Sequence, residues 1–210
     1  MLQLDPEPGS GSSAPNGFVL YVEGPNDRSI LREWSYRLIP QLAGRLFDET
    51  VILGGRQPVR AAEHFHAEVD RRPNAQALCI LDRDDEAHGA LPDCHANLVF
   101  FTWSRRHIES YLLIPEALHR VLGRSGDRDR MTRAFREHLP PPDDEDAHRE
   151  LNAKRLLGKK GPLARALGRP LPLARIARAT REPELHRDVH ELFDYLRGKL
   201  GAADPVRIER

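Results

Sequence analysis

Four short apolar runs constrain this chain more than anything else in it. They are FVLYV (18–22), TVILG (50–54), QALCILD (76–82) and LVFFTW (98–103). Each is rich in β-branched or aromatic residues and too short for a buried helix, so each reads as a strand. Between them lie segments of helical period: Ile30, Leu31, Trp34 and Leu38 share one face, and 58–69 carries Ala, His and Phe at similar spacing. Strands with nearly continuous apolar interiors, separated by helices, predict a parallel sheet covered on both faces. Polar groups collect directly after the strands. Glu23 follows the first, Gly54–Gly55 the second, Asp82 and Asp84 the third, and Ser104, Arg105 and Arg106 the fourth. Ligands of open α/β sheets bind outside the carboxyl ends of the strands, so this alignment points to a site.

The rest of the chain divides around that core. Residues 1–16 are rich in Pro, Gly and Ser without periodicity and read as a linker or tail, either a native terminus or the trailing edge of something upstream. The α/β core is expected over 17–105, with Asn26 as the cap of its first helix. A helical region is expected over 106–210, with helices at 107–113, 115–123, 129–139, 147–158, 161–168 and 184–200. The two cysteines, Cys79 and Cys94, form no CxxC pair, which disfavours a disulfide scaffold or a thiolate zinc site and suits a reducing, cytoplasmic setting. No run approaches the length of a membrane span, and no secretory signal pattern opens the chain.

Charge sharpens the functional question. The formal net charge is zero, with 32 basic and 32 acidic side chains, yet residues 1–100 carry 15 acids and 9 bases while 149–210 carry 8 and 15. Arginines 105, 106, 155, 165, 169, 175, 178, 181 and 187 sit largely in that basic half, and they suit sequence-independent contact with a nucleic-acid backbone. No recognition helix or zinc finger is evident.

The acids suit metal chemistry. Asp82 and Asp84 point the same way from an extended segment, and paired carboxylates repel unless a cation lies between them. Hard divalent ions prefer such oxygen ligands. Taken alone, each acid has a plainer explanation. Asp27 complements a helix dipole, 82–86 is a solvated acidic loop, and Glu109 lies on the polar face of an amphipathic segment. Their convergence on strand ends favours a shared site in which Glu23, Asp27, Asp82, Asp84 and Glu109 hold two Mg²⁺ or Mn²⁺ ions, the arrangement suited to phosphodiester hydrolysis.

VEGPNDRSIL, the ILGG turn, ILDRDD and SRRHIESYLL together resemble the Toprim core of the OLD (overcoming lysogenization defect) family nucleases, over roughly residues 18–113. The resemblance implies a Toprim-like parallel sheet flanked by helices and a DNA nuclease. Glu23 matches the glutamate after the first strand, Asp82 and Asp84 the DxD pair, Asp27 the second acid of an ExxxD turn, and Glu109 the acid of an IENYLL-like segment. Glu23 would double as proton acceptor. The family also places a lysine late in the chain near the metals. Lys160 in LGKKGPLARAL matches best, Lys159 nearly as well, and Lys154 is a third candidate. It implies too an ABC-type ATPase upstream, although this chain contains no GxxxxGK[ST] loop, and a homo-oligomer is compatible with it. The alternatives are an RNA-processing or primase-like Toprim enzyme, a non-catalytic DNA-binding or dimerisation module, and a phosphatase with an aspartyl nucleophile.

Overall fold

The computed structural model describes residues 17–83, 91–123 and 128–201. The expected linker, Asp84 and the rest of the acidic 84–86 stretch lie outside these residues. Strands β1 (Phe18–Val22), β2 (Thr50–Ile52), β3 (Gln76–Leu81) and β4 (Leu98–Thr102) form one sheet of order β2-β1-β3-β4. All its pairings are parallel, with Tyr21 opposite Val51 on one side and Cys79 on the other. This is the expected α/β architecture, consistent with a Toprim-like core.

Strand alternation builds two apolar layers. Leu20, Val22, Leu78 and Ile80 face one way, onto Ile30 and Trp34 of helix α1 (Pro25–Leu38). Val19, Tyr21, Ala77, Cys79 and Leu81 face the other, onto Ala61 and Phe65 of α3 (Pro58–Arg71). With both faces covered, every inner strand residue must be apolar, which is why the strands read as unbroken runs rather than alternating ones.

The first layer continues into the second half of the chain. Helices α4 (Pro115–Leu122), α5 (Arg128–His138), α7 (Ala153–Leu157), α8 (Pro162–Leu167), α9 (Leu173–Ala179) and α10 (Arg187–Leu200) bury their apolar residues in the same cluster as α1. Trp103 links the halves, with its ring in contact with Trp34, Phe101 and Tyr111. No described helix is long and apolar enough to cross a membrane.

Several local expectations are corrected. The cap of α1 is Gly24 rather than Asn26, and no side chain caps it. Pro25 occupies the first helical position, where its missing N–H costs nothing and its fixed φ suits the helix. The single helix expected over 147–158 is two, α6 (Glu145–Glu150) and α7, because Asn152 interrupts it and accepts the Arg155 N–H as a new cap. Segment 107–113 is a 3-10 turn at Ile108–Leu112. Helices α2 (Ala43–Asp48) and α9 were not expected.

Topology places the site. From β1 the chain crosses by α1 to β2 on one side, then returns by α3 to β3 on the other. The connections diverge between β1 and β3, and open parallel sheets form their crevice outside the strand ends at such a point.

Candidate active site

Glu23 and Asp82 stand at that crevice, immediately after β1 and β3. The Glu23 Oε1 accepts the Asp82 backbone N–H at 2.7 Å, which joins the two strand ends directly. Asp82 Oδ1 in turn accepts the Ile108 N–H at 2.9 Å, the first residue of the 3-10 turn that carries Glu109. Asp27 approaches from the first turn of α1. Glu23, Asp27, Asp82 and Glu109 are only 5%, 4%, 1% and 3% exposed, so four of the five expected acids are buried together.

The turn after β2 completes the wall. Gly54 and Gly55 both donate their N–H to the Glu23 carbonyl, at 2.9 Å each. Their φ values, +83° and +122°, belong to the region where side-chain-bearing residues are strained, which accounts for the glycine pair. The turn also directs Arg56 back over the sheet, where its guanidinium donates to the Asp82 carbonyl. Sequence reasoning missed Arg56. Its only signal was that it follows the glycine pair.

One lysine reaches the acids. Lys154, on α7, donates from Nζ to Asp82 Oδ2. The expectation ranked Lys160 first, yet Lys159 and Lys160 are exposed in the turn beyond α7, where the Lys160 carbonyl accepts from Arg165. Lys154, Gly158, Glu23, Asp27, Asn26 and Glu109 all line a cleft of about 370 Å³. Asn26, displaced from the cap position, lines the cleft with Glu109, where its amide favours the charged carboxylate.

Electrostatics follow from this crowding. Burial, reinforced by Asp82 and Glu109, pushes the Asp27 carboxyl up to about 7. Burial and Asp82 push Glu109 up to about 7 as well, against hydrogen bonds that act to lower it. Burial by itself would lower the Lys154 ammonium, but Asp82, Glu109 and Asp27 reverse this and raise its pKa. Glu109 Oε2 is buried without a hydrogen-bond partner.

These donors fit a hard cation in their chemistry. All are carboxylate oxygens, they repel one another, and one buried oxygen lacks a partner. Among the described residues no three His, Cys, Asp or Glu side chains already stand as a ligand cluster, and Lys154 supplies the positive charge at Asp82.

His107, two residues before Glu109, is itself buried, at 4% exposure. The arginines of the basic half do meet acids. Arg105 forms a two-pronged pair with Glu145, and Arg178 forms one with Glu33, 145 positions away. Those partners are distant in sequence, so a local charge count could not find them. No protein-family model matches the chain, and no curated protein or solved structure matches it.

Proposed function

We propose that this protein is a divalent-metal-dependent nuclease of the Toprim type, hydrolysing phosphodiester bonds of DNA with Mg²⁺ or Mn²⁺. One observation carries the reading. Four carboxylates are buried side by side at the β1–β3 crevice; Glu23, Asp27 and Glu109 line a cleft, and Lys154, which also lines it, donates to the fourth, Asp82. Concentrating like charges in a low-dielectric site is costly, and a fold keeps such an arrangement where a cation offsets it.

Glu23, Asp27, Asp82 and Glu109 would hold the ions, with Asp84 the remaining member of the proposed set. A divalent cation there supplies Lewis acidity, which lowers the pKa of water and neutralises charge on a phosphodiester. The protein's own groups do the rest. The Glu23–Asp82 hydrogen bond and the Ile108 N–H hold two carboxylates in fixed orientation. Burial and mutual repulsion raise the Asp27 and Glu109 carboxyls to about 7 without a cation, and bound ions would return both to the carboxylate form that ligates them. Lys154 keeps its proton and presents a fixed positive charge to a phosphate entering the cleft. The free thiols Cys79 and Cys94 agree with a cytoplasmic setting.

The test is cleavage of supercoiled and linear DNA with Mg²⁺, Mn²⁺ or EDTA, for the parent protein and for Asp82→Ala and Glu109→Ala. Cleavage with metal and none in EDTA or in either variant is the expected result. Equal cleavage in EDTA, or an Asp82→Ala protein as active as its parent, overturns the reading.

A further inference from the structure

A second concavity, of about 650 Å³, lies along the seam between α1 and α9 and is lined by Arg32, Glu33, Tyr36, Arg37 and Arg178. Both helices run from the acid cleft to this groove. Asn26 of α1 and Leu173 of α9 line the cleft, and Arg37 and Arg178 near their opposite ends line the groove. The exposed ridge of α1, from Asn26 through Ser29 and Arg32 to Tyr36, is continuous between the two. At 1.5 Å rise per residue it spans about 15 Å.

The groove combines an exposed aromatic ring with a surplus of arginine. Tyr36 is 48% exposed, Arg32 lies over its ring at 5.7 Å from the centroid, and both Nε and Nη2 of Arg32 donate to its hydroxyl. Arg37 donates to the Arg178 carbonyl at 2.9 Å, joining the helix ends. The one carboxylate, Glu33, is engaged by Arg178, so three arginines face one acid. Bases stack on aromatic rings whatever their sequence, and guanidinium groups meet phosphates in a planar fork. A paired duplex conceals the base faces that such a ring binds.

We propose that this groove holds single-stranded nucleic acid continuing out of the acid cleft, with Tyr36 stacking a base and Arg32, Arg37 and Arg178 binding phosphates. The inference rests on the nuclease reading for the identity of the cleft's occupant.

Binding of a short fluorescent oligothymidylate and of its duplex to the full chain, followed by anisotropy in EDTA, tests the groove without cleavage. Tighter binding of the single strand is expected. Tyr36→Ala weakens it about tenfold, while Tyr36→Phe retains it. An Arg32→Gln/Arg178→Gln protein loses about 0.7 in salt slope for each phosphate contact removed. Arg133→Ala, in a separate groove between α5 and α8, leaves binding unchanged. Binding that ignores Tyr36 and the arginine pair, or that polyglutamate competes away as well as the oligonucleotide does, overturns the proposal. If this binding pattern holds while no metal supports cleavage, the nuclease reading alone fails. If cleavage proceeds while the groove variants bind normally, the groove alone fails.

Discussion

Lys154 donates its ammonium to Asp82 across 72 positions of chain, and this ion pair ties the helical half of the protein to the end of the central strand β3. It is also the contact that separates Lys154 from Lys159 and Lys160, the other two candidates. Asp82 is only 1% exposed and shares the crevice with three more carboxylates.

Lys154→Ala is therefore expected to slow metal-dependent cleavage by about 10²–10³, the usual effect of removing one fixed charge-stabilising donor. Lys159→Ala and Lys160→Ala are expected to keep their activity, because neither side chain lines the cleft that Lys154 lines. Plasmid-cleavage rates for the three variants decide the matter. An inactive Lys160→Ala protein beside an active Lys154→Ala protein would return the role to Lys160.

The metal-free protein should lose stability as pH rises. The folded-state pKa values of Asp27 and Glu109, about 7, lie above their ordinary values of 3.8 and 4.5. Their contribution is complete below about pH 4 and lost as pH rises through about 7. Glu109→Gln and Asp27→Asn remove this loss, so in EDTA at pH 8 each should melt a few degrees above the parent. For a chain of this size about 1 kcal/mol moves Tm by 2–4 °C. Mg²⁺ or Mn²⁺ should stabilise the parent by about 2.7 kcal/mol at a hundred times Kd. Melting curves in pH series with and without metal provide the check, and a flat pH dependence with no metal shift would contradict the site.

Asp188, in the first turn of α10, holds the far end of the 3-10 turn that carries Glu109. It accepts hydrogen bonds from Ser104 Oγ and Tyr111 OH, and Tyr111 lies two residues from Glu109 on the 3-10 turn. Burial would raise its pKa, but the His186 ring beside it and hydrogen bonds from Ser104 and Tyr111 outweigh that and hold it below the usual carboxylate range. Its contribution is present above about pH 4 and fades as pH falls towards that depressed value. Asp188→Asn should cost about 2–3 kcal/mol at neutral pH and much less in acid. Urea unfolding at two pH values tests this. An equal cost at both would show packing, not charge, at work.

Gly161 fixes the turn from α7 to α8. A Cβ there would lie 2.3 Å from the Leu156 carbonyl oxygen and 2.4 Å from that of Arg155, backbone atoms that cannot rotate aside. Gly161→Ala should destabilise the fold by about 1–3 kcal/mol. Because α7 carries Lys154, cleavage should fall as well. A variant with the parent's Tm would show that the turn yields freely.

Much of this was legible in the order of residues. A strand covered on both faces has to be apolar throughout, so β1, β3 and β4 announced themselves, and the acids stood out where those runs stopped. The expected helix starts at 58 and 115 fall on proline and coincide with the first residues of α3 and α4. Short-range rules sufficed for each of these, because each depends on a residue's own backbone or its immediate neighbours.

The remainder depends on contacts between distant parts of the chain. Only the folded chain puts Lys154 rather than Lys160 at Asp82, moves Asn26 from an expected cap into the lining of the cleft with Glu109, and brings Arg56 over the end of β3. The same holds for the pairing of Arg178 with Glu33, which no count of neighbouring charges reveals. Pattern and composition determined that acids would line the carboxyl edge of a parallel sheet. Packing decided which cations meet them, because a side chain's partner is set by where its helix docks, and docking is a property of the whole core.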